Sequence, residues 1–372
     1  NSKTVLSSFR MFFAYGGSFL ALFCWEPLCR ILGGYDSPAG WRNAMIVVAA
    51  FCLLLFLLCF RMTKEKLHTV SKASVGSDLK SLLRNAPWWI LIGAAICSNL
   101  FSTVRGSVAA YFFNDVIGQN VNLNLGPFSV LFYAGLFLSI GEVSNMVGVA
   151  LAVPFSEKFG KKSTYMLSFA ALILFSALFF YIPISQGGYF WMLILQVVIS
   201  IFTGVISPLV WSMYADVSDF AENRDGTAST GLIFSSASMA QKFGGAFGGF
   251  AVMWLLKAFG YNTSPGAVQT PEAINGLWLL MSWIPAAVAG IAVIVIFFYP
   301  LTRSRMCDIQ DALAVKREND MTARPDTQET EESSSNLWKG LPKVMRWVLV
   351  ILAVILALEL LSVFYTSTCF LR

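Results

Sequence analysis

Apolar positions in this chain come in long runs, not in the strict alternation that marks half-buried strands. A run of roughly 20 mostly apolar residues is long enough for a helix to cross a bilayer. Nine such runs are present, at 9–32, 44–61, 88–113, 129–153, 163–183, 189–214, 229–257, 276–300 and 347–366. The polar connections between them alternate in charge. "RMTKEKLHTVSKASVGSDLKSLLRN" after the second run is rich in Lys and Arg, and "NDVIGQNVNLNLGPF" after the third has none. "SEKFGKKS" is basic again and "ISQGGYF" is uncharged. Because positive loops stay on the cytoplasmic side, residues 1–8, 61–87, 156–163, 215–228 and 301–346 are predicted to face the cytoplasm. The first eight spans then alternate strictly, and a ninth would leave Arg372 outside.

Composition agrees with a multi-pass membrane protein. Charged residues make up 13% and hydrophobic residues 56%, against about a quarter charged in soluble domains. The net charge of +5 comes from loop Lys and Arg and implies no affinity for nucleic acid. Seven scattered cysteines without C-x-x-C, and one histidine (His68), predict neither a disulfide framework nor a zinc site. No Walker A sequence occurs, so no ATP-binding domain and no cofactor is expected. The chain begins at Asn1 without a signal-peptide pattern, which reads as an N-terminally incomplete chain or part of a longer one. The segment "SDLKSLLRNAPWW" suits a surface helix, and "ENDMTARPDTQETEESSSN" has the composition of a disordered tail.

Several blocks, in order, carry a resemblance: "LSSFRMFFAYGG", "LLRNAPWWIL" followed by "VRGSVAAYFFNDVIG", "SEKFGKKSTY", then "YADVSDFAENRDGTASTGLIFSSASMAQKFGGAFGG", with "AFGY" and "TPEAINGL" after it. Over about residues 1 to 320 the chain resembles the glycoside–pentoside–hexuronide:cation symporters of the melibiose-permease type, within the major facilitator superfamily. The resemblance implies an all-α membrane fold with helices five to twelve of twelve. Residues 1–61 would be the last two helices of the N-terminal bundle, 62–87 a central cytoplasmic loop and 88–303 a six-helix C-terminal bundle. Residues 304–346 would be a polar cytoplasmic tail, and 347–366 an extra helix outside the family pattern. It also implies a multi-pass protein of the inner membrane that couples sugar or glycoside uptake to sodium or protons. In that family the acids that bind the cation lie on the first four helices, so the chain by itself is expected not to accumulate sugar. The other expected partners are membrane lipid and a segment supplying those four helices. An amphiphile or lipid carrier of the same fold, or a non-transporting fragment, are the alternative readings.

Charges inside the spans are the candidate site, because a charge at the bilayer centre costs about 2.5–3.5 kcal/mol on insertion scales and is usually functional or paired. Lys242 lies mid-span, far from either end for snorkelling, on a face with Ser235, Ser238 and Ala246. Gly244 with Gly248, and Gly245 with Gly249, are small-xxx-small pairs for close helix contact. The resemblance places the lysine near the sugar and cation sites and gives Arg10 a sugar contact; alone, Arg10 would be an interfacial anchor. Arg105 follows Asn99, Ser102 and Thr103 and either lines a cavity or sits in a fixed ion pair. Glu142, one turn before Asn145, either pairs with Arg105 or Lys242 or takes part in proton coupling. Trp211 and Tyr15 are candidate ring contacts for a sugar. Asp216 and Asp219, with Arg224 or Lys161, form either a solvated helix end or, by resemblance, a cytoplasmic gate. Many members carry Arg and Glu where this chain has Ala228 and Thr230, before Gly231, so part of that network is altered.

The topology is testable at the 61–87 loop. A Ser74→Cys variant should react with impermeant thiol reagents in inside-out vesicles only, and labelling of intact cells from outside would refute the orientation.

Overall fold

The structure is a computed structural model that describes residues 2–34, 37–62, 81–118, 121–125, 128–225, 230–264 and 267–322. Residues 317–372 separate from the rest as a second compact unit, and only their first few are described. The 347–366 run, most of the 61–87 loop and Ala228 lie outside the described residues.

Helix α1 spans Ser2–Ile31, α2 Pro38–Met62 and α3 Ala86–Phe112. A π-helical turn, Phe113–Ile117, ends α3 and leads into β1 (Val121–Leu125) and β2 (Phe128–Phe132). Next come α4 (Ala134–Phe159), α5 (Lys161–Phe179), α6 (Gln186–Asp225) and α7 (Thr230–Ala258). Helices α8 (Pro271–Met281), α9 (Trp283–Phe297) and α10 (Arg303–Thr322) complete the order. Long apolar helices are the expected solution, since an α-helix satisfies its own backbone hydrogen bonds inside hydrocarbon. By length and composition α2, α3 with its π turn, α4, α5, α6 and the α8–α9 segment qualify as membrane spans. α1 and α7 are long enough, at 30 and 29 residues, but fall outside that group. They are the helices that carry Arg10 and Lys242.

Three sequence expectations are corrected. The run 129–153 starts as strand: β2 pairs with β1 antiparallel, Val121 opposite Phe132 and Leu125 opposite Phe128. The hairpin seats Phe132 among Phe113, Phe137 and Tyr189, so an aromatic cluster, not lipid, buries it. The run 276–300 is not one helix but α8 and α9, broken at Ser282, whose backbone is non-helical at φ −127°, ψ −83°. Pro285 explains the break, because proline has no N–H for the carbonyl four residues earlier and its ring crowds that carbonyl. Finally, residues 318–322 of the stretch expected to be disordered are the end of helix α10, and 323–336 lie outside the described residues. Met306, Ile309 and Leu313 form one buried stripe at helical spacing, which holds α10 against the core.

Packing is set by small residues. α4 and α6 touch backbone to backbone: a Cβ on Gly148 would lie 2.0 Å from the Ile201 carbonyl oxygen, and one on Gly204 2.2 Å from that of Asn145. On α7 the Gly244–Gly248 pair is the one that meets α3, where added Cβ atoms would lie 2.8 Å from Asn99 Cβ and 2.7 Å from Thr103 Cβ. Gly249 has nothing within 4 Å. Between spans, Trp88 Nε1 on α3 donates to Ser236 Oγ on α7 at 2.9 Å. Lys162 Nζ donates to the carbonyls of Phe297 and Tyr299 at 2.8 and 2.7 Å, capping the end of α9 with a positive charge where the helix dipole favours one. Beyond α7, the Tyr261 hydroxyl donates to Asp115, tying that loop to the π turn. Burial and this carboxylate push the Tyr261 phenol up. Two apolar clusters result, one around Trp88, Tyr165, Tyr214 and Leu301, the other around Phe112, Phe132, Phe137 and Leu277.

The glycine crossing gives a direct test. Gly148→Val should destabilise the protein by about 1–3 kcal/mol, the usual cost of overpacking, read as a lower thermal midpoint in detergent. Gly249→Ala should leave the midpoint unchanged.

Candidate functional site

Between the two clusters α3, α4 and α6 line a half-open cavity of about 130 Å³. Its walls carry Ser102 and Arg105 from α3, Glu142 and Asn145 from α4, and Gln196, Ser200 and Thr203 from α6. Phe101, Phe137 and Ile199 close the apolar part of the wall. Gly141 keeps the space open, since a Cβ there would lie 2.8 Å from Gln196 Nε2.

Arg105 is buried and fixed at both ends of its guanidinium. Nη1 donates to the Met281 carbonyl at 2.6 Å and Nη2 to Gln196 Oε1 at 2.9 Å, with the Phe179 ring 5.3 Å away. Met281 is the residue four positions before Pro285. The arginine therefore supplies the donor that the proline removes from the α8–α9 break. Glu142, on the same cavity, accepts from Asn145 Nδ2 at a long 3.5 Å. Among the described residues it has no ion-pair contact with Arg105 or Lys242, a pairing that is one of the two alternatives the sequence leaves open. For Lys242 the cause is helix rotation: the Gly244–Gly248 seam turns toward α3, and Lys242 lies on another face with Ser235, Ser238 and Ala246, all exposed. For Arg105 the cause is competition from the two neutral oxygens that hold it.

A second group lies where α1 crosses α6. The Arg10 guanidinium sits 4.2 Å from the Trp211 ring centroid, a cation–π contact. Phe234 stacks nearly parallel on Trp211, 5.9 Å between centroids, so the tryptophan ring is already engaged. One and a half turns along α1, Tyr15 Oη and Ser207 Oγ are 2.6 Å apart.

At the end predicted to face the cytoplasm, Lys161 Nζ lies 2.6 Å from Asp216 Oδ2. Asp216 is buried on α6, which runs unbroken to Asp225, and Asp219 follows it one turn on, half-buried. Arg224, on the same helix, donates to the carbonyls of Arg84 and Ser81. Thr230, at the start of α7, shares a 2.6 Å hydrogen bond with Ser218.

The structure thus distributes the sequence candidates over four places: the cavity, the α1–α6 crossing, the exposed face of α7, and the Lys161–Asp216 pair. Sequence reading missed Gln196, Ser200, Thr203 and Ser207. Their signal was present as polar residues four, three and four apart in an apolar span, one stripe along α6. It missed the Met281 carbonyl too, for which Pro285 was the clue.

The family model for "MFS/sugar transport protein" matches residues 1–303. The chain belongs to this family. It is a multi-pass protein of the cell membrane. Among curated relatives it is similar to the putative glycoside/cation symporter YagG of Escherichia coli K12, 28% identical over 326 residues, 87% of this chain and 68% of that one. The inner membrane symporter YicJ of the same organism is 27% identical over 83% of this chain and 65% of its own length. The isoprimeverose transporter of Lactiplantibacillus pentosus is 26% identical over 81% of this chain and 61% of its own. The chain therefore spans about two thirds of the length of these relatives. Among solved structures, the E. coli fucose:proton symporter FucP superposes with a TM-score of 0.52 at 15% identity, covering 79% of this chain and 68% of FucP. At that identity the likeness concerns the fold, which is that of the major facilitator superfamily.

The double role of Arg105, cavity wall and carbonyl cap, is testable. Arg105→Met removes both donors. It should lower stability in bilayers or detergent by about 1–2 kcal/mol, the scale of interhelical hydrogen bonds in membranes. It should also speed amide exchange at residues 281–286. Unchanged exchange there would show that the break does not need the arginine.

Proposed function

We propose that this chain forms part of a secondary active transporter that moves a sugar or glycoside across the cell membrane together with sodium or protons, by alternating access. Family and fold are those of transporters, which favours transport over catalysis. The single observation that carries the sugar reading is the α1–α6 crossing. There Arg10 is held over Trp211 beside the Tyr15–Ser207 hydrogen bond, inside helices that belong to the membrane fold. A guanidinium offers a planar fork of donors suited to neighbouring hydroxyls, and its aromatic support fixes the fork with no carboxylate paired to it among the described residues. Substrate enters between this crossing and the α7 face that carries Lys242 and Ser238. The named relatives are a putative glycoside/cation symporter and an isoprimeverose transporter, and their substrates are the class we assign here. Lys161 with Asp216 is the closed state of a cytoplasmic gate, and Asp219 and Arg224 flank it.

The test uses a chimera in which the first third of YicJ precedes Asn1, so that the helices of both bundles are supplied together. It should accumulate labelled glycoside under a proton or sodium gradient. Lys242→Ala should abolish accumulation while leaving the protein in the membrane, and Asp216→Asn should give gradient-independent leakage. A chimera that binds glycoside but accumulates it as well with Lys242→Ala as without would remove the lysine from the site. One that inserts and neither binds nor moves any glycoside would overturn the sugar reading.

A further inference from the structure

The α3–α4–α6 cavity contains two polar groups whose needs are unmet, and they are neighbours. The first is the Glu142 carboxylate. Its one donor among the described residues is Asn145 Nδ2, at 3.5 Å, the outer limit of a hydrogen bond. The second is Asn145 Oδ1, which is buried and accepts no hydrogen bond. An unsatisfied buried acceptor is costly, and a half-buried carboxylate without a charged partner adds to that cost. One small species relieves both.

We propose that this cavity is a proton-binding site, with Glu142 as the carrier and Asn145 as its amide partner. The step is the addition of one proton from water to the carboxylate, giving a neutral carboxylic acid; no other bond is made or broken. An ionised carboxylate only accepts, whereas the acid has one O–H to donate. The two ends of the Asn145 amide have nearly the same shape, so rotation by half a turn exchanges Nδ2 for Oδ1. With Glu142 ionised, Nδ2 donates to it. With Glu142 protonated, the carboxyl donates to Oδ1, and the buried acceptor gains its partner.

The charged and titratable groups facing Glu142 are few. Arg105 faces it from α3, with two of its five N–H donors given to Gln196 and Met281 and no ion pair to Glu142 among the described residues. Tyr15 on α1 lies within range of its charge. α6 offers neutral Gln196, Ser200 and Thr203. A metal cation held by oxygen needs a shell of several ligands. Here a fixed guanidinium stands on the wall, where it opposes a metal's positive charge, and Gln196 Oε1 already accepts from it. A proton needs one carboxylate and one acceptor, and both are present. The site is also placed to report its state. The Asn145 carbonyl lies in the glycine crossing with α6, and Tyr15 reaches α6 through Ser207. This inference rests on the transport reading for its purpose, as a proton site beside the acids that the resemblance places on the first four helices, but its test does not.

The 372-residue chain in lipid nanodiscs is followed by infrared difference spectroscopy as pH is stepped. A carboxylic-acid carbonyl band should appear as pH falls. It should be absent in Glu142→Gln. In Asn145→Ala, which keeps Glu142 and loses its acceptor, it should shift to higher frequency. Replacing choline by sodium should leave the titration in place, and thermal melts identify any variant that has not folded. A folded wild-type chain without a Glu142-dependent band overturns the proposal. A band whose titration moves to lower pH with added sodium overturns it in favour of a metal cation. Absence of glycoside binding and uptake in the YicJ chimera, with the titration intact, would sink the transport reading and leave this one standing.

Discussion

A backbone carbonyl without a donor is tolerated in water and costs several kcal/mol in hydrocarbon. Pro285 creates such a carbonyl at Met281, in the middle of a segment that otherwise spans the bilayer as a helix. The remedy comes from another helix: the Arg105 guanidinium crosses from α3 and donates to it. Much of the interior follows from that contact. It requires a buried positive charge, which recruits Gln196 as a second neutral acceptor. It fixes α3 relative to the α8–α9 break. It also places an arginine on the wall of a cavity whose only carboxylate remains unpaired among the described residues.

The cavity itself is a product of small residues. Gly148 and Gly204 let α4 and α6 meet backbone to backbone, and Gly141 leaves room for Gln196 and Ser200 at the same interface. Larger residues at any of these positions would spread the helices or fill the space. Helix contact in a membrane depends on such close packing because lipid tails are as apolar as the side chains they replace. Chemistry and packing are therefore set by the same positions. α7 uses the same device toward α3, and a consequence is the outward placement of Lys242.

The candidate residues fall in places that differ in chemistry. The α1–α6 crossing offers fixed donors on an aromatic support, the half-open cavity offers one titratable acid with an amide, and Lys161 with Asp216 offers a breakable ion pair at a helix end. In an alternating-access transporter these would serve substrate, coupling ion and gate. Keeping them on α1, α4, α5 and α6, which pack together, lets a change at one alter the contacts of the others.

By itself the sequence determined the membrane class, the helical character of the spans, the alternation of loops and the short set of intramembrane charges. These depend on run length, loop charge and the rarity of charge in apolar segments, which are local properties of the chain. Arg105, Glu142 and Lys242 stood out for that reason, and so did the glycine pairs of α7. Partnership was decided only by tertiary structure. Glu142 and Arg105 share a cavity without pairing, because two neutral oxygens from distant helices already hold the guanidinium. Lys242 turns away from both, because one of two equivalent glycine pairs is chosen as the seam. The hairpin at Val121–Phe132 likewise depends on an aromatic cluster drawn from four separate segments. Rotation about a helix axis and competition among acceptors are set by what packs alongside, and a single run of residues does not encode its neighbours.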